Sequence, residues 1–209
     1  NKVSYLPSLA GESDVLKVMQ LMPGVKRGGE GQTGMYVRGG DVDQNLIILD
    51  EATVYNASHL LGFFSIFNTD ALKDVTIIKG GFPANYGGRL SSVVDIRMKE
   101  GNMQKFSVDG GIGLLASRLT VQGPVLKDTI SYIVSARRTY LAEVLKLAKM
   151  YLPYYFYDIN AKINWKYSAK NRFYFSTYYG DDVLKYEERD DRSFFQFGFR
   201  LGNFTSTLR

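Results

Sequence analysis

The sequence predicts an α+β domain over residues 1–102 followed, over residues 103–209, by antiparallel strands of an incomplete transmembrane β-barrel. Three observations predict it. Short mixed elements fill the first half, whereas beyond Gly101 apolar and polar residues alternate with period two over long runs. Charge divides the same way: residues 1–104 carry 10 Lys and Arg against 11 Asp and Glu, a net −1, and the rest carry 16 against 10, a net +6, together the chain's +5. Finally, 21 of the 29 aromatic residues follow residue 104, so the large rings belong to the alternating part.

In chain order, Ser13 is placed to cap a helix running from Asp14 to about Met22, with Val15, Leu16 and Met19 on one face and Pro23-Gly24 ending it. Sheet candidates follow at residues 35–38, 46–50, 75–78 and 93–98, with Asn68 or Thr69 capping one more helical turn before the third. Beyond Gly101, residues 106–114, 119–123 and 130–137 read as strands, the last two joined through a turn at Lys127-Asp128. In residues 154–167, Tyr155, Tyr157, Ile159, Ala161, Ile163, Trp165 and Tyr167 share one face, and Asp158, Asn160, Lys162, Asn164 and Lys166 share the other. Phe173, Phe175, Thr177 and Tyr179 repeat the pattern after a turn at residues 168–171, and Phe195, Phe197, Phe199 and Leu201 repeat it again.

A soluble sandwich also alternates, but membrane strands need about 9 to 11 residues and carry aromatic girdles. Residues 154–167 meet both demands, beginning with Tyr154-Tyr155-Phe156-Tyr157 and closing with Trp165 and Tyr167. Turns near Lys127 and Ala169 read as short periplasmic ones, and residues 138–153 and 181–192 as long extracellular loops.

Composition excludes several classes of function. Cysteine is absent, so there is no disulfide framework, thiolate metal site or cysteine nucleophile. No run of about 18 apolar residues exists to form a spanning helix. The chain has one histidine and no Gly-x-Ser-x-Gly, which argues against an enzyme; no cofactor or metal is implied. Gly29-Glu30-Gly31-Gln32-Thr33-Gly34 fits G-x-G-x-x-G literally, yet a helix precedes it and a strand follows, the reverse of a dinucleotide site. His59 is best explained by packing or a solvent contact. Asp41, Asp43, Asp50 and Glu51 match no EF-hand and fit turn chemistry. The acidic residues between 181 and 191 fit a solvated face of mixed sign. Lys162 and Lys166 lie on the face opposite the aromatic rings, so no nucleic-acid groove forms; lysines lining a wet barrel interior or touching the N-terminal domain fit that geometry.

Residues 75–101 hold two strand patterns around the glycine-rich turn Asn85-Tyr86-Gly87-Gly88-Arg89-Leu90-Ser91-Ser92. With Pro23-Gly24-Val25, Tyr36-Val37-Arg38-Gly39-Gly40 and Leu46-Ile47-Ile48-Leu49-Asp50 upstream, in that order and spacing, the first half resembles the plug domain of TonB-dependent outer-membrane receptors, outside the glycan-importing SusC branch. The resemblance implies an outer-membrane active transporter whose plug gates a small, unidentified ligand, with membrane lipid around the wall and a TonB-type energy-coupling protein as partner. It also leaves open a non-transporting signalling or assembly subunit on the same scaffold, with a lipoprotein partner. Plug arginines in such receptors pair with wall glutamates, which singles out Arg38 and Arg89, and Lys79 third, as plug–barrel contacts. Their partners are expected beyond Arg209, because such barrels have about 22 strands and the chain stops as a strand begins. No coupling motif is visible before Ser13, so either the start is truncated, the favoured expectation, or coupling is lost in this member.

Overall fold

Asp14 sets the first element. The structure, a computed structural model, describes residues 14–29, 32–59, 62–147, 149, 154–190 and 193–208. Helix α1 (Val15–Met19) begins at Asp14, whose Oδ1 accepts from the backbone N–H groups of Leu16 at 2.9 Å and Lys17 at 3.3 Å. Ser13, the cap read from the sequence, lies outside the described residues. The helix is also shorter than expected, because Pro23 disfavours helical backbone at the residue before it and the chain turns through Gly24 at φ 80°. Val15, Leu16 and Met19 are buried as their spacing requires.

Strands β1 (Val25–Arg27) and β2 (Met35–Val37) pair only with each other, so the segment around Met35 does not join the main sheet as anticipated. That sheet contains β3 (Asn45–Leu49), β4 (Ala52–Thr53), β7 (Leu72–Ile78) and β8 (Ser92–Met98) in the order β4-β3-β8-β7. β3 runs parallel to β8, with Asn45 opposite Ser92, and β7 runs antiparallel to β8. A small ribbon, β5 (Ser58–His59) with β6 (Phe64–Ser65), lies between them in sequence. Asn68 caps the 3-10 turn Thr69–Ala71 through its side chain, one of the two capping residues expected. Helix α1 and β8 share one apolar core, in which Leu16, Met19, Val94, Ile96 and Met98 are buried.

After Gly101 the chain runs as an antiparallel meander: β9 (Ser107–Ile112), β10 (Ala116–Leu126), β11 (Ile130–Thr139), β12 (Tyr154–Lys166), β13 (Arg172–Asp190) and β14 (Ser193–Leu208), each paired with its sequence neighbour. Helix α2 (Leu141–Leu147) interrupts the long connection between β11 and β12. Residues 181–192, expected as a loop, are instead mostly strand: β13 continues to Asp190 and pairs with β14 up to Asp190 opposite Ser193. A dense run of charges resembles a loop in sequence, but Asp181 and Asp182 at its start are buried within the sheet, and the partner segment alternates aromatics over residues 195–201.

Burial along this sheet is inverted relative to a water-soluble protein. In β12 Tyr154 and Phe156 are buried at the start, and from there on the buried residues are Asp158, Asn160, Lys162 and Asn164, whereas Ile159, Ile163 and Trp165 are exposed. Asp158 is 0% exposed and Ile163 is 47% exposed. The polar face is covered by the N-terminal unit. At the end of β12, Trp165 lies 5.5 Å from Tyr167 and 5.8 Å from Phe173, ring centroid to centroid, forming an aromatic row on the exposed face. Among the described residues no helix is long and apolar enough to cross a membrane, which says nothing of strands.

Gly101 joins the two units. Its φ is 77°, and a Cβ there would overlap the Tyr132 carbonyl of β11, so only glycine lets the chain pass the sheet this closely.

Candidate functional site

The functional geometry lies where the polar face of β10–β13 covers the N-terminal unit. Strand geometry places Thr120, Ser135, Arg137, Asp158, Lys162 and Tyr178 on one face, because side chains two residues apart point the same way. The N-terminal unit presents Asp50, His59, Ser65, Asn68, Asp70 and Glu100 to that face.

The densest cluster is centred on His59. Its Nδ1 lies 2.9 Å from Asp182 Oδ2, and its Nε2 lies 3.2 Å from Asp158 Oδ2. The ring stacks on Phe156 with centroids 4.0 Å apart and planes 9° apart. Arg137 sits over the same Phe156 ring at 5.1 Å. Its Nη2 donates to Asp158 Oδ2 at 2.7 Å and to the Ser65 carbonyl at 2.7 Å, tying the sheet to β6. Tyr154 donates its hydroxyl to Asp182 Oδ1. Tyr178, fully buried, brings its hydroxyl to 3.4 Å from His59 Nε2 and packs into the N-terminal core. Gly180 leaves the space, since a Cβ there would overlap that hydroxyl and come within 3.3 Å of the His59 ring.

Burial alone would lower the pKa of His59, but the hydrogen bonds and charges of Asp158 and Asp182 outweigh it and raise the imidazole above its ordinary value.

Further contacts cross the same junction. Lys162 Nζ lies 3.0 Å from Asp50 Oδ2, 3.1 Å from Asp50 Oδ1 and 3.4 Å from the Met98 carbonyl. Asp50 occupies the β3–β4 turn at φ 46°, and its Oδ1 also accepts from the Met98 N–H. Arg118 pairs with Asp70 at 2.7 Å, Asn68 donates to Ser135 Oγ at 2.7 Å, and Ser131 donates to the Glu100 carbonyl at 2.7 Å. Arg172 reaches Glu100 at 3.5 Å on the exposed rim.

Apart from His59, the ion pairs put the acid on the N-terminal unit and the base on the sheet: Asp50 with Lys162, Asp70 with Arg118, Glu100 with Arg172. The sequence reading expected the reverse polarity and singled out none of these acids as contacts. The signal available was the division of charge, net −1 before residue 105 and net +6 after it. Of the two places the sequence left open for Lys162 and Lys166, lining a wet interior or touching the N-terminal unit, Lys162 takes the second through Asp50. His59 is a junction residue, where the sequence suggested packing or solvent.

Arg38, Arg89 and Lys79 lie elsewhere. Arg38 and Arg89 are exposed on the N-terminal unit, and Lys79 is half-buried there. Lys79 Nζ donates to the Pro23 carbonyl at 2.6 Å, and Arg89 Nη1 donates to the Gly88 carbonyl at 3.0 Å. Arg38 has φ 49° and precedes Gly39 and Gly40, the latter closely packed against Ser91. The structure does not bring these three into the His59 cluster.

The arrangement has no nucleophile–base pair at its centre, and among the described residues no three His, Asp or Glu groups are set to hold a metal. What it can do is hold two bodies together through exchangeable polar contacts and release them when those contacts are exchanged for water.

Comparison with known proteins matches residues 8–94 to the family model described as the TonB-dependent receptor plug domain. Among solved structures, the siderophore receptor PirA from Acinetobacter baumannii aligns with a TM-score of 0.60 at 19% identity, over 83% of this chain and 30% of that one. A mutant ferric enterobactin receptor, PfeA, from Pseudomonas aeruginosa aligns with a TM-score of 0.56 at 18% identity, over 83% and 31%. The siderophore receptor PirA from Pseudomonas aeruginosa gives 0.55 at 15% identity, over 93% and 39%. At such identities the likeness is one of fold, and this chain spans about a third of the length of those receptors. Curated proteins gave no match.

Proposed function

We propose that this chain is part of an outer-membrane active transporter, a reading supported by the match of residues 8–94 to the TonB-dependent receptor plug-domain model and by the receptor-like strands that follow it. Residues 1–102 act as the plug and residues 103–209 as the first part of the wall. The observation that carries the reading is the inverted burial of β12, where Asp158, Asn160, Lys162 and Asn164 face the plug and Ile159, Ile163 and Trp165 face away. Apolar side chains on the outer face suit lipid, and an inner polar face suits a wet lumen. Two ring rows support this placement, the exposed one at Trp165 and a second in which half-buried Tyr157 lies 6.1 Å from Tyr179. Tyr157 and Trp165 are eight residues apart, which at about 3.3 Å per residue and a tilt of about 40° separates them by roughly 20 Å, close to the height of an outer-membrane apolar band.

In this reading a ligand binds from outside, an energy-coupling protein acts on a segment before the plug, and the plug rearranges to open a path along the wall. Polar contacts suit that work, since a typical hydrogen bond contributes only about 1 kcal/mol net and can be replaced by water. Arg38, Arg89 and Lys79, which lie on the plug away from the His59 cluster, are assigned to contacts with wall strands other than β9–β14. The ligand class is proposed by fold likeness alone, as a siderophore-type iron chelate.

Uptake by energised cells producing the full-length protein tests this. Iron-radiolabelled siderophores, ferric enterobactin among them, are expected to accumulate, and deletion of the segment upstream of the plug is expected to abolish accumulation. Uptake that survives the deletion would sink the coupled-transport reading. Absence of uptake for every siderophore, together with stable capture of a lipoprotein, would favour the signalling or assembly subunit.

A further inference from the structure

Both ring nitrogens of His59 face carboxylates, Nδ1 toward Asp182 and Nε2 toward Asp158. A carboxylate accepts hydrogen bonds and cannot donate them, so a neutral imidazole, with one N–H, satisfies only one of the two. Its second nitrogen would then turn a lone pair toward a buried negative oxygen. We propose that the plug is latched to the wall by a single proton held among His59, Asp158 and Asp182, and that loss of this proton as the pH rises releases the His59 side of the plug. The proposal rests on the plug-and-wall reading and adds to it a proton as the regulating ligand.

Charge balance leads to the same conclusion. The groups facing His59 are Asp158, Tyr154 and Phe156 from β12, Asp182 and Tyr178 from β13, and Arg137 from β11, which bonds Asp158. On the plug side, Asp14 accepts from Leu16, Lys17 and Ser65 backbone N–H groups, and Lys17 lies over the Phe64 ring. With His59 protonated, two cations face two anions in a site sealed from solvent. Without the proton, a net negative charge stays buried, which is unfavourable when one partner of a buried ionic set is lost. Asp158 Oδ2 already accepts from Arg137 Nε at 3.0 Å and Nη2 at 2.7 Å, and its Oδ1 is buried with no hydrogen-bond partner, so it has no nearby donor to replace the imidazolium. The proton belongs to the cluster as a coupled set.

The sign follows from linkage. His59 binds its proton more tightly in the docked plug than when solvated. Its contribution to docking is therefore fully present below the solvated value of about 6.5 and is lost as the pH rises through the higher docked value. One proton changes the docked-to-released ratio by at most about tenfold per pH unit in that window.

The chain contains no cysteine, so labels can be placed without background from it. In the full-length protein without ligand, nitroxides at Tyr55→Cys, on the exposed plug surface, and Ile159→Cys, on the outer face of β12, report the plug–wall distance by pulsed electron resonance at pH 6.0 and 8.5. One population is expected at the lower pH and a second, longer one at the higher. His59→Gln, which has no titrating ring, is expected to give the same distribution at both pH values. Asp182→Asn needs only one N–H from the imidazole, so its midpoint is expected at lower pH. A wild type that does not respond to pH, a His59→Gln protein that responds as the wild type does, or an unmoved midpoint in Asp182→Asn overturns the latch. If the distance changes on energised ligand uptake but not with pH, the gating reading stands and the latch falls. If it changes with pH in a protein that transports nothing, the latch stands and the transport reading falls.

Discussion

On one face of β8 in the plug Val94, Ile96 and Met98 are buried, whereas on the buried face of β12 in the wall Asp158, Asn160, Lys162 and Asn164 follow Tyr154 and Phe156. Both strands are covered on the counted face, yet one follows the burial rule of a water-soluble core and the other reverses it. The plug folds around its own apolar centre, built from α1 and β8, and is held in place by a different chemistry. The wall turns Ile159, Ile163 and Trp165 outward, and its inner face binds the plug mainly through polar groups, with Phe156 and Tyr178 adding apolar contact. On the transporter reading proposed above, strong cohesion within the plug and exchangeable adhesion at its surface are what a plug that moves as a body requires.

The sharpest way to break this comparison is to remove one member of the buried ionic set. Arg137→Met leaves Asp158 without its guanidinium and the Ser65 carbonyl without its Nη2 donor, and it is expected to lower resistance to denaturant by about 3–5 kcal/mol, with plug mobility rising in hydrogen exchange. A loss under 1 kcal/mol would mean that water replaces the guanidinium freely.

A smaller effect tests the outer face. Val134 pairs with Ala161 midway between the ring rows and points away from the plug. Val134→Arg is expected to weaken folding into bilayers by about 2–4 kcal/mol, while Tyr55→Arg, at a plug site 87% exposed, stays within about 0.5 kcal/mol. Equal costs would show that the outer face meets water.

The smallest effect sharpens the contrast between sealed and rim contacts. Arg172→Gln removes the 3.5 Å contact with Glu100, in which both partners are partly exposed, and is expected to change stability by less than about 1 kcal/mol. A loss comparable to that of Arg137→Met would assign the rim a share of plug retention.

Much of the architecture was legible before any coordinates. The alternation in residues 154–167 follows from the two-residue repeat of an extended chain, so β12 and its two faces could be read directly. Strands β3 and β8, the Asn68 cap and the turn at Lys127-Asp128 carry local signals of the same kind. The site was far less legible. His59 and Asp182 are 123 residues apart, and a lone histidine or a run of acids carries no local mark of its partner. Residues 181–190 resemble a loop because charge density usually marks solvent exposure, whereas Asp181 and Asp182 are buried against partners on other elements that the local sequence does not name.

By itself the sequence determined which residues alternate, where the short mixed elements give way to long strands, and that the two halves differ in charge, since each depends on neighbours along the chain. Only the tertiary structure decided which polar face meets which loop, that plug acids meet wall bases, and that His59 stands between two carboxylates. Those pairings depend on how the plug is seated against the wall, a long-range arrangement that no local pattern of residues encodes.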